Sequence, residues 1–189
     1  MKSETMSVQQ MFQDRRQYRV PFFQRPYVWN KEDQWERLWS DISTKAEVRI
    51  DGDQPPPHFL GATVLEPQRR SGLLGVETSN IIDGQQRLTT LQYFLAALAI
   101  VLRQETQATL LSLVDGCLRN ENKDTMQQPE VEVFKVWPTF RDRENFQLAM
   151  EAVSIDELRE FFPHSFTQSD TLKKIGVDHP PALGASTPS

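Results

Sequence analysis

Ile81-Ile82-Asp83-Gly84-Gln85-Gln86-Arg87-Leu88-Thr89 joins two kinds of sequence. Upstream, residues 80–82 read as the end of a buried strand. Downstream, Leu88, Leu91, Leu95, Leu98 and Leu102 recur at spacings of three and four, with Phe94 and Val101 widening the face. That spacing predicts an amphipathic helix whose first turn is Gly84 to Arg87. A polar cluster therefore sits where a strand turns into a helix.

Two readings of that cluster follow from elementary chemistry. The first amide hydrogens of a helix lack internal partners, and its dipole makes that end positive, so a phosphate is favoured there. Gly84 would let a ligand approach the backbone, and Arg87 would grip phosphate oxygens with its planar fork of donors. Asp83 would hold a magnesium ion or its water shell. The alternative is local. Asp83 and Gln86 have the spacing of an Asp-x-x-Gln capping box, worth roughly 1 kcal/mol to the helix.

The chain has 189 residues, 38 % of them hydrophobic, and a formal net charge of -5. That length supports one domain with a real core, or a domain plus an appendage. An acidic chain is no electrostatic binder of nucleic acid as a whole. Arg15, Arg16, Arg19 and Arg25 form the one local basic run, which reads either as a solvated face or as a nucleic-acid contact. The single cysteine, Cys117, lies in an apolar helical run and reads as a small core residue. No intrachain disulfide is possible, and a reducing compartment follows. The absence of a signal core and of any membrane-length run predicts a soluble, cytoplasmic protein with no membrane partner.

Along the chain, residues 7–14 predict a short helix capped by Ser7, and residues 18–20 a short strand. Pro21 and Pro26 forbid a helix between them. Extended geometry would place Phe23, Arg25, Tyr27 and Trp29 on one side and Phe22, Gln24 and Val28 on the other. This segment is either an aromatic loop packed on the core or a pocket wall that stacks a base, with Arg25 or Gln24 in polar contact. Asn30 is a cap for the next helix, whose stripe of Trp35, Leu38, Trp39, Ile42 and Ala46 reads as core. Asp41, beside that stripe, reads as solvated or capping. Residues 49–57, with three consecutive prolines, are a loop.

Residues 59–65 predict a largely buried strand, preceded by His58, which reads as structural or as part of a site. Residues 68–75 read as a hairpin-like connection and residues 76–82 as the strand that runs into Asp83. Residues 105–118 continue the long helix or form a second one. A polar loop spans 120–129, and Val131, Val133 and residues 134–137 predict another strand ended by Pro138. A helix starts near Asp142. Ser154 and Glu157 form a capping box for a short helix. The composition of residues 166–189 predicts a largely disordered tail after a domain of residues 1–165. Few strands, irregularly mixed with helices, make this an α+β domain and not a doubly wound sheet.

Three segments, Pro21 to Trp29 (PFFQRPYVW), His58 to Leu65 (HFLGATVL) and Ile82 to Leu91 (IDGQQRLTTL), carry a family resemblance that residues 135–142 (KVWPTFRD) extend. Together they resemble the N-terminal domain of GmrSD-type, modification-dependent type IV restriction enzymes, which the DGQQR motif marks. The resemblance covers about residues 7–160. It implies a ParB/sulfiredoxin-like small mixed sheet with helical additions. It also implies binding or hydrolysis of a nucleoside triphosphate, with Mg2+, that controls DNA cleavage. Carried over, Asp83, Gly84, Gln85, Gln86 and Arg87 are the signature, and Gln24, Arg25, Tyr27 and His58 would line the nucleotide site. The family's nuclease belongs to a separate HNH-type domain or partner chain. The three histidines here, His58, His164 and His179, are too widely spaced for such a domain. Family members are generally longer, so the chain is expected to be an N-terminal fragment or a truncated member.

The leading expectation is thus an NTP-hydrolysing regulatory domain of a prokaryotic antiphage defence nuclease. Arg87 would neutralise charge on the transferred phosphoryl group, Asp83 would place magnesium or water, and Gln85 or Gln86 would orient that water. The competing expectation is a DNA- or modified-nucleotide-binding module without catalysis. A third is a purely structural role for the capping residues. The expected partners are a nucleoside triphosphate, DNA directly or through the HNH-type domain, and a second copy of the chain as a homo-oligomer.

Overall fold

The computed structural model describes residues 3–69 and 74–163. The expected tail of residues 166–189, His164 and His179 lie outside them, as do residues 70–73 of the connection read as a hairpin. Among the described residues the chain forms an α+β fold: one small mixed sheet and seven α-helices.

The elements run α1 (Val8–Gln13), β1 (Arg16–Arg19), a π-helical turn (Lys31–Trp35) leading into α2 (Glu36–Ile50), β2 (Val64–Pro67) and β3 (Glu77–Asp83). After these come α3 (Gln85–Gln104), α4 (Ala108–Leu118), α5 (Pro129–Glu132), β4 (Val136–Trp137), α6 (Arg143–Glu151) and α7 (Ile155–Phe161). The strand order is β2-β3-β1-β4. β1 is parallel to both β3 and β4, in register Tyr18 with Ser79 and with Val136, while β2 pairs antiparallel with β3.

Local chemistry sets several boundaries. Ser7 accepts from Gln10 N and Gln10 reaches back to Ser7 N, closing the capping box of α1. Asn30 accepts from Asp33 N at 3.0 Å. Ser154 caps α7 through Glu157 N. α3 and α4 are separate helices, broken at Thr106, whose φ is +56°. They pack against each other, and the core gathers Phe12, Tyr18, Ile81, Leu88, Phe134, Val136 and Phe146 between helices and sheet. Cys117 is buried there, as its apolar run predicts, and burial pushes its thiol up. No helix of the described residues is long and apolar enough to cross a membrane.

Three expectations need correction. The strand predicted over 59–65 begins only at Val64, and Phe59 is 80 % exposed. It is an edge strand, preceded by Gly61 at φ +103°, so it has no second neighbour to bury it. Val131 and Val133 are not in a strand. Pro129 opens α5 with the φ a first helical turn needs. The buried Glu132 carboxylate then accepts from Val76 N at 3.0 Å and Gln128 N at 3.3 Å. Finally, the tryptophan stripe of α2 is not core. None of the residues of α2 is buried, and Trp39 remains half-exposed. α2 leans on the molecule through the Trp39–Phe94 ring contact, with centroids 6.2 Å apart, and through its lead-in turn, where Trp35 Nε1 donates to Tyr27 Oη. A helix held only along its rim leaves space beneath it.

Candidate functional site

The strand-to-helix junction forms where the sequence places it. β3 ends at Asp83, and Gly84 turns the chain at φ +97° into α3. No side chain caps this helix, so the Asp-x-x-Gln capping box does not form. The Asp83 carboxylate is instead 71 % exposed and 3.9 Å from Arg87 Nη2. The space beside Gly84 belongs to Thr63: a Cβ on Gly84 would lie 2.8 Å from Thr63 Oγ1. Gly84, Gln85 and Gln86 are buried, so the first turn of α3 opens outward only at Arg87.

The two glutamines have a job that their neighbours impose. Pro21 and Pro26 keep the segment before Asn30 out of regular structure, and its backbone groups need partners elsewhere. Gln85 Nε2 donates to Arg25 O at 2.9 Å, and Gln86 Nε2 donates to Pro26 O at 3.0 Å. Gln86 Oε1 accepts from Val28 N at 2.9 Å. Gln24 returns the connection by donating to Ile82 O at 2.9 Å. The amides read as water-orienting groups are thus engaged with the backbone of residues 25–28. Tyr27 anchors the same segment. Its N–H donates to Asp142 Oδ2, its hydroxyl pairs with Thr90 Oγ1 at 2.7 Å, and burial pushes that hydroxyl's pKa up.

Fastening residues 24–28 places Trp29 on the wall of a cavity of about 410 Å³ under α2. Arg87 and Leu91 of α3 form one wall. Asp33, Gln34, Arg37, Leu38 and Asp41 form another, and His58, Phe59 and Leu60 close the side. That volume is in the range of small-molecule sites, roughly 300–1,000 Å³. Arg87 Nη2 donates to Ala62 O, and its Nε is buried without a partner among the described residues. With 28 % of its side chain exposed, Arg87 lines the cavity and can take an acceptor there. His58 Nε2 stands 3.4 Å from Asp41 Oδ2.

Of the sequence candidates, Arg87 and His58 meet in this cavity. Gln24, Arg25, Tyr27, Asp83, Gly84, Gln85 and Gln86 do not line it. The expected one-sided alternation fails because the prolines bend the segment. Tyr27 turns under α3 and Trp29 turns to the cavity, while Arg25 is exposed. Sequence reasoning placed Trp29 on a possible pocket wall but missed Arg37 and Asp41 as site residues. The signal lay in Asp33, Arg37 and Asp41, which recur every four residues beside the tryptophan stripe. Three members of the basic run are engaged locally. Arg16 pairs with Glu77 at 3.1 Å, Arg19 donates to Gln17, and Arg15 bonds Asn122 O and Thr125.

Among the described residues no three His, Cys, Asp or Glu side chains gather into a metal-holding group. Asp83 is one exposed carboxylate beside Arg87. A single carboxylate fits magnesium arriving with phosphates, since that ion keeps several waters and takes few protein ligands.

A protein-family model described as GmrSD restriction endonuclease, N-terminal domain, matches residues 8–179. No curated protein matches the chain.

Proposed function

The chain belongs to the GmrSD N-terminal domain family, and from that premise we propose that it binds and hydrolyses a nucleoside triphosphate as the regulatory part of a DNA-restriction and phage-defence system. The observation that carries this reading is Arg87, whose partly unpaired guanidinium forms a wall of a nucleotide-sized cavity. The small mixed sheet with its helical cover supports a ParB/sulfiredoxin-like framework for that cavity.

The triphosphate enters under α2. Arg87 takes phosphate oxygens and, held by Ala62 O, is oriented before substrate arrives, so its charge stabilises the phosphoryl transition state with little reorganisation. Arg37 adds a second cation. Trp29 and Phe59 offer aromatic faces to the base. Gln85, Gln86 and Gln24 act by fixing the segment that presents Trp29. Asp83, beside Arg87 but outside the cavity lining, would hold a Mg2+ accompanying the phosphates, and that ion would neutralise phosphate charge. DNA is reached through an HNH-type nuclease domain or partner, because Arg15, Arg16 and Arg19 are already engaged within this chain.

Phosphate release from each of the four ribonucleoside triphosphates with magnesium tests the reading. Release by wild type that falls at least 100-fold in Arg87→Ala, with an unchanged circular dichroism spectrum, supports it. Undiminished release by the variant removes the role of Arg87.

A further inference from the structure

The cavity holds a second pair of polar side chains besides Arg87. His58 and Asp41 come from different elements, the segment leading to β2 and the second turn of α2, yet Nε2 and Oδ2 are 3.4 Å apart and both residues line the cavity. An ionised carboxylate only accepts, so a bond to Asp41 would place the neutral imidazole's proton on Nε2. That leaves the Nδ1 lone pair of a neutral imidazole as a free base, and no hydrogen bond to Nδ1 is seen among the described residues. The distance exceeds that of a formed hydrogen bond, as is common for catalytic pairs before substrate tightens them. The segment that carries His58 also clasps Arg87, through Ala62 O and the open backbone of Gly61. Base and phosphate-gripping cation are therefore positioned by one short stretch of chain.

We propose that His58, oriented by Asp41, is the general base that activates the attacking water in this cavity. The inference rests on the hydrolytic reading above and adds to it the residue that takes the proton. The water oxygen bonds to the terminal phosphorus as its O–H proton passes to His58 Nδ1. The bond from that phosphorus to the bridging oxygen breaks, and the electron pair leaves with the diphosphate. The imidazolium, stabilised by Asp41, then returns its proton to solvent. Arg37 and Arg87 as cations and Asp33 and Asp41 as anions line the same cavity as His58. The neutral imidazole is the form that takes the proton, so the acid limb of the rate is the one that depends on His58.

The test is steady-state phosphate release from pH 5 to 9 by the full chain, as wild type, His58→Ala and Asp41→Asn. Binding of a nonhydrolysable triphosphate is measured in parallel. The expected result for His58→Ala is a rate about 100-fold or more below wild type, no acid limb, retained binding, and partial rescue by added imidazole. Asp41→Asn lowers kcat less and moves the acid limb while leaving binding in place. A merely structural His58 gives neither the lost limb nor the rescue. A His58→Ala variant with the wild-type rate and acid limb overturns the base and leaves the hydrolytic reading standing. No release by wild type from any triphosphate overturns that reading and the base together.

Discussion

The Arg87 guanidinium lies against the backbone of Gly61: a Cβ built there would sit 2.9 Å from Arg87 Cζ and closer still to Nη1. Gly61 also holds φ +103°, a region that L side chains rarely adopt. Gly61→Ala is therefore expected to cost about 1–3 kcal/mol in backbone strain and to push the guanidinium out of its seat. Urea denaturation reads the first effect and phosphate release the second. A variant that is less stable but hydrolyses normally would separate Arg87 from its seat on this segment.

Gln86 spans two backbone groups of the proline-bounded segment, Pro26 O and Val28 N. Gln86→Ala leaves both without that partner, at a cost of about 1–3 kcal/mol, and frees Trp29 from the cavity wall. A lowered thermal midpoint together with a red-shifted tryptophan emission is the expected signature. Unchanged emission would mean that Trp29 is held by other contacts.

Asp83 gives the opposite expectation for stability. Its exposed carboxylate caps no helix, so Asp83→Ala should change the unfolding free energy by less than about 0.5 kcal/mol. A loss of 1 kcal/mol or more in urea denaturation would restore the capping role that the Asp-x-x-Gln spacing suggests. Magnesium-dependent phosphate release should fall in the same variant.

The features legible in the sequence were those written in neighbouring residues. Ser7, Asn30 and Ser154 announce their helices because a cap bonds within three residues of itself. The Asp83–Gln86 pair has the same local grammar, yet tertiary partners outbid it: Gln86 turns to Pro26 and Val28, nearly sixty residues away. The stripe of α2 shows which side of the helix is apolar but not how much surface it meets, so its rim-held position was not legible. The site was half legible for the same reason. Arg87, His58 and Trp29 stand in distinctive motifs, whereas Arg37 and Asp41 become site residues only once α2 lies beside Arg87 and the His58 segment.

Lys135 makes stability depend on pH. Only 2 % of the residue is exposed, and Nζ donates to Asp14 O at 2.7 Å. Burial pushes its pKa down to about 8, against the opposing pull of the Cys117, Asp14 and Glu121 side chains. In the unfolded chain the amine titrates near its ordinary value of about 10.5. Between about pH 8 and 10.5 the unfolded state binds more protons, so stability rises with pH in that window. Below pH 8 the full penalty of a buried charge is present. Lys135→Met should raise stability at pH 7 by roughly 1–3 kcal/mol and flatten the profile from pH 8 to 9.5. Denaturation midpoints at pH 7, 8 and 9.5 check both. The raised tyrosine pKa values of Tyr18, Tyr27 and Tyr93 act above that range.

Equilibrium binding of a nonhydrolysable nucleoside triphosphate with magnesium, compared in wild type, Arg87→Ala and Arg25→Ala, tests the central claim most directly. Arg87 lines the cavity and Arg25 does not. The account predicts that Arg87→Ala weakens binding about 10- to 100-fold, the loss expected for one charge-assisted hydrogen-bonding group. Arg25→Ala should bind as wild type does. Binding that survives Arg87→Ala, or that disappears with Arg25→Ala, would place the nucleotide outside this cavity and contradict the account.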